Sequence, residues 1–101
     1  MNTANLQLEG LSMAMAAINR LLVEKGLLDR DEIDLALRRV EASLSGEDKA
    51  PDLSPANRDA IAFPVRLLQL ANGLSSQEDL PSFTELARRV GETKERYNDQ
   101  R

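Results

Sequence analysis

The stretch LLVEKGLLDRDEIDLALRRVE, residues 21–41, encodes a helix end and a helix beginning almost back to back. Gly26 follows an aliphatic run and can take the left-handed conformation that closes a helix, because it has no Cβ to clash. Leu27 can then fold back on Leu22. Asp29 stands as the next N-cap, and Glu32, three residues on, supplies the other half of a capping box. Leu28 and Ile33 occupy the two positions of a hydrophobic staple. The corner is written locally, and it specifies a tight helical hairpin.

The same signals recur along the chain. Leu8, Leu11, Met15, Ile18 and Leu22 alternate four and three apart, which predicts a first helix over 4–25 with that stripe facing the core, widened by Ala14 and Leu21. A second helix over 30–44 presents Ile33, Leu37, Val40 and Leu44. The polar stretch SGEDKAPDL, with Gly46 and Pro51, reads as a loop over 45–53. Ser54 followed by Pro55 opens a third helix over 55–72, stopped at Gly73, with Leu74 folding back on Leu68. Its apolar residues cover more than half the circumference, so it is the central helix; Pro64 inside it either bends it or divides it in two. Ser82 and Glu85 form a capping box for a fourth helix over 83–97, striped by Phe83, Leu86, Val90 and Tyr97. Asp34 with Arg38, Glu85 with Arg89 and Glu92 with Arg96 are spaced to pair across one turn. Residues 1–3 and 98–101 are expected to fray.

These elements fit one domain over 1–101: an all-α, four-helix bundle of two helical hairpins, orthogonal or up-down, with helix three central. Phe63, Phe83 and Tyr97 are the whole aromatic content, so the core must be aliphatic. With 13 basic against 17 acidic residues the chain carries a net charge of −4, which discourages nonspecific attachment to nucleic acid or anionic membrane. No apolar run approaches the ~20 residues that span a bilayer, and no secretory leader pattern precedes the first helix. A cytoplasmic protein is the expectation.

The chain contains no histidine and no cysteine. That removes the commonest general bases, nucleophiles and soft-metal ligands together. The run Asp29, Asp31, Glu32, Asp34 suggests calcium, but an EF-hand loop opening at Asp29 needs glycine at its sixth position and glutamate at its twelfth. Those positions hold Asp34 and Val40. Negative charge at a helix N-terminus explains the run better. The sequence is therefore read as nonenzymatic, with no catalytic residue, cofactor or metal.

Two resemblances are local. The segment FTELARRVGETKERY, residues 83–97, resembles the helix-turn-helix of bacterial DNA-binding proteins, with Ala87 and Gly91 at its small-residue and turn positions. The resemblance implies a recognition helix over 93–101 that places Thr93, Lys94, Arg96 and Asn98 near the groove, giving salt-sensitive duplex binding that Arg96→Ala weakens. Glu92 replaces the apolar turn residue of that pattern. The corner resembles the N-terminal helical hairpin of nitrile hydratase α subunits, whose cysteine-rich metal motif has no counterpart here.

The remaining signal is apolar surface. Met13 behind helix one, and Leu35 and Ala42 behind helix two, are hard to bury in a four-helix monomer, and a thin core is often completed by a second copy. The expected function is a small protein-interaction module that binds itself as a homodimer or binds another protein, with Met13, Leu35 and Ala42 at the interface. DNA binding through 83–101 is the alternative.

Overall fold

The computed structural model describes residues 3–45, 54–74 and 79–98, with side chains for all of these except 45 and 93–98. Four helices form: α1 (Thr3–Glu24), α2 (Arg30–Ser45), α3 (Pro55–Gly73) and α4 (Phe83–Asn98). Among the described residues there is no strand. The protein is an all-α bundle in which α1, α2 and α4 each make their main contacts with α3. Each helix begins and ends within one residue of its expected bounds. The expected loop over 45–53 lies outside the described residues, apart from Ser45, which ends α2. Of the ends expected to fray, Thr3 and Asn98 are helical and the rest lie outside the described residues.

The corner is built as its residues dictate. Gly26 is left-handed at φ +73°. The Leu27 amide donates to the Leu22 carbonyl and the Gly26 amide to the Val23 carbonyl, both at 3.0 Å. These are the two bonds of a Schellman stop. Three residues later the Glu32 carboxylate accepts the Asp29 amide at 2.8 Å, and the Ile33 amide reaches the Asp29 carbonyl to begin α2. Ser54 Oγ accepts the Asn57 amide and Ser82 Oγ the Glu85 amide, which caps α3 and α4. The stop at Gly73 forms where expected, closed by an extended Leu74 whose amide bonds the Ala71 carbonyl. One detail differs from the sequence reading. In the second capping box the Glu85 carboxylate turns forward to Arg88 and Arg89, so the serine half carries the cap.

The helix α3 runs unbroken through Pro64 and buries two opposite faces. On one side Leu67 and Ala71 meet Ala16 of α1 and Leu86 of α4, with Met13, Phe63, Leu70, Leu74, Phe83 and Val90 packed around them. Leu67 and Leu86 have no exposed surface. Phe63 and Phe83 stand edge to face at 6.1 Å, a geometry favoured by the ring quadrupoles. On the other side Ala62 and Val65 are buried, as is Ile33 of α2.

The first helix departs most from expectation. Its predicted core stripe does not face α3. Leu11, Met15, Ile18 and Leu21 are exposed, Leu8 and Leu22 half-buried, and the deeply buried residues are Ser12 and Ala16. Ser12, Ala16, Asn19 and Val23 form their own row at helical spacing, and Ala16, with Met13, packs into the cluster around Leu67 of α3. Val40 on α2 is likewise exposed, because that helix rests on Ile33, Leu37, Glu41 and Leu44.

Truncating either fully buried leucine, Leu67→Ala or Leu86→Ala, is expected to cost about 3 kcal/mol, from lost burial and the cavity left behind. Leu11→Ala, on the exposed stripe, should stay within about 0.5 kcal/mol of the parent. Urea unfolding followed by circular dichroism measures both.

Candidate functional site

Polar side chains converge most closely between α2 and α3. Glu41 accepts from Arg66 Nε and from Gln69 Nε2, each at 2.9 Å, and Arg66 also pairs with Asp59 at 3.5 Å. Asn72 donates to the Arg30 carbonyl at the start of α2. Every carboxylate of this network has a partner. The hydrogen bond from Gln69, with Arg66 alongside, holds the Glu41 carboxyl below its ordinary value against the opposing effect of burial. A carboxylate so committed to charge is a poor general acid. The network fixes how α2 lies along α3.

A shallow cleft between α1 and α3 is lined by residues including Asn19, Arg20, Val23, Leu68 and Asn72. Its enclosed space of about 10 Å³ is that of one water molecule, far below the ~300 Å³ at which ligand pockets begin. Among the described residues, no three acidic side chains are grouped so as to hold a metal ion. No described helix is long and apolar enough to cross a membrane.

The fourth helix bears on the DNA alternative. It is continuous from Phe83 to Asn98, and Gly91 is neither left-handed nor at a turn. Thr93, Lys94, Arg96 and Asn98 therefore continue the same rod as Leu86; their side chains, and that of Tyr97, lie outside the described residues. The arginines before them are engaged along the helix. Arg88 bridges Glu85 and Glu92, and Arg89 reaches Glu85 at 2.8 Å. Both arginines pull the Glu85 carboxyl down to about 2. The expected Asp34–Arg38 pair forms at 2.6 Å.

The sequence-derived interface residues divide. Met13 packs against the core beside Ala16, whereas Leu35 and Ala42 are exposed on α2, seven positions apart. A larger apolar surface lies on α1. Leu11 is 63% exposed, Ile18 and Leu21 are each 51%, and Met15 is 39%. Leu11, Met15, Ile18 and Leu22 follow one another at intervals of four and three, so they share a face, and Leu27 at the corner is exposed as well. About 400 Å² of aliphatic side chain faces solvent there, within the range of the largest patch on a typical monomer, which is often functional. The signal was in the sequence, since the stripe itself was visible. What was missing was the row of small residues that takes its place against α3.

Two measurements check this geometry. Gly26→Ala should destabilise by about 1 kcal/mol, because alanine is strained at positive φ. Gly91→Ala should stabilise by about 0.5–1 kcal/mol, because a Cβ there meets open space inside a straight helix; a turn at Gly91 would reverse the sign. For Glu41, a folded-state pKa below the unfolded 4.5 means that its contribution is complete above that value and fades as pH falls through the folded one. The difference in urea midpoint between the parent and Glu41→Gln is therefore expected to narrow from about pH 6 to about pH 3.

No protein-family model matches this chain, and neither the curated proteins nor the solved structures contain a significant match to it.

Proposed function

We propose that this protein is a nonenzymatic interaction module whose contact surface is the outer face of α1. The observation that carries the reading is the row Leu11, Met15, Ile18 and Leu21, held out to solvent by a helix already seated through Ser12 and Ala16. Helical faces of this spacing bind other helices or apolar grooves through side chains at i, i+3, i+4 and i+7. Leu35 and Ala42 add two apolar positions elsewhere on the surface, but they are two turns apart and one of them is small. The α1 face is wider and unbroken.

The absence of histidine and cysteine, the fully partnered Glu41 network and the one-water cleft all agree with a binding role rather than a chemical one. The DNA alternative has less behind it, since α4 is one rod and its described arginines are paired with its own glutamates.

The test is affinity capture from the native organism with the parent chain and with the double variant Leu11→Glu, Ile18→Glu, each with and without nuclease. Proteins that survive nuclease on the parent and are lost on the variant are the expected result. Equal capture by both chains would count against the α1 surface, and capture that vanishes with nuclease would favour the DNA reading. Circular dichroism should show equal helicity for the two chains, because neither substituted position is in the core.

A further inference from the structure

We infer that the partner of the α1 face is a second copy of this chain, with the two α1 helices running antiparallel. The inference rests on the reading of α1 as a contact surface and supplies its occupant.

The chain's own undescribed stretches offer little to lay over the stripe. Residues 46–53 read GEDKAPDL, 75–78 SSQE and 99–101 DQR, so beyond Met1 their one large aliphatic residue is Leu53. The chemistry of the face narrows what other surface would cover it. Ala4, Leu8, Leu11, Met15, Ile18 and Leu22 recur four and three apart, and the flanking positions Gln7, Ser12, Ala14, Asn19 and Leu21 carry no charge. A partner selected by charge would find nothing to pair with along the stripe. A second neutral helix face would meet no repulsion, although each chain carries −4 overall.

Area fits a weak pairing. The α1 stripe exposes about 400 Å² of aliphatic surface per copy, so two copies would bury about 800 Å², the size of a weak or transient interface. A two-fold pairing needs the same patch on both subunits, which a single stripe supplies. Lys25 sets the direction. It continues the line of the stripe at its C-terminal end, so parallel helices would place two ammonium groups together, whereas antiparallel helices set Lys25 opposite Leu8 of the partner copy. Opposed helix dipoles favour the same arrangement.

Sedimentation velocity on the whole chain, from below 1 μM to about 200 μM, should show a monomer–dimer equilibrium with Kd on the order of 10 μM. Leu11→Glu and Ile18→Glu should each weaken it at least about tenfold, while Leu35→Glu leaves it unchanged. Since the chain has no cysteine, Lys25→Cys mixed with Leu8→Cys should cross-link under mild oxidation far more than Lys25→Cys alone. A parent that stays monomeric throughout, or a dimer broken by Leu35→Glu but spared by the α1 variants, overturns the second copy as occupant. Preferential cross-linking of Lys25→Cys to itself overturns the antiparallel arrangement. Monomeric behaviour together with α1-dependent capture of another protein would remove the self-pairing and leave the contact surface standing. If neither association nor capture depends on α1, both fall.

Discussion

Three helices converge on Leu67, which has no exposed surface. Ala16 of α1 and Leu86 of α4 are buried in the same cluster, with Ala71 one turn further along α3. The rest of the arrangement depends on this contact, because α1, α2 and α4 are organised mainly through α3. The opposite face of α3 receives α2 by different means. Ile33, Ala62 and Val65 supply the apolar contact, and Glu41, Arg66, Gln69 and Asn72 surround it with polar bonds. Apolar packing fixes α1 and α4 by shape. Hydrogen bonds of defined direction add a register to α2, because a slip along α3 would separate Glu41 from both its donors.

How much of this could be read from the sequence depended on whether the cause was local. The corner at Gly26, the Glu32 cap, the serine caps at 54 and 82 and the helix bounds follow from residues a few positions apart, and they formed as written. The centrality of α3 was also legible, since an apolar surface covering more than half a helix requires neighbours on two sides. The orientation of α1 was not legible. Periodicity shows that Leu11, Met15, Ile18 and Leu22 share a face, but it carries no information on whether α3 or solvent lies opposite. Ser12 and Ala16 contribute little hydropathy and are buried because they are small. The stop at Gly73 was legible as a boundary but not in its geometry, since glycine permits a left-handed stop without requiring one, and an extended Leu74 closes α3.

The seating of α1 has a consequence for the surface. The buried side of α1 carries Ser12, Ala16 and Met13, and four of its large aliphatic side chains, Leu11, Met15, Ile18 and Leu21, remain outside. With Leu35, Val40 and the corner leucines also exposed, much of the aliphatic content that should fill a core lies on the surface instead. Burial of the α1 stripe by any partner would therefore act on folding as well as on binding. A ligand that recognises only the folded chain stabilises it in proportion to its occupancy. Under the proposed pairing, association through α1 would therefore raise the stability of the fold as concentration rises.

The α4 helix and the α1 stripe treat charge in opposite ways. Along α4, Arg88 and Arg89 are bound to Glu85 and Glu92 of the same helix, so their positive charge is largely neutralised where it stands. Recruiting them to phosphate would first require breaking those pairs, and the glutamates released would repel the same anion. Between Leu8 and Leu22 the α1 stripe has no charged group to strip of water before contact. Desolvating charge is the commonest reason that a surface of adequate area fails to bind. A neutral aliphatic face avoids that cost, and this favours α1 over α4 as the proposed contact surface.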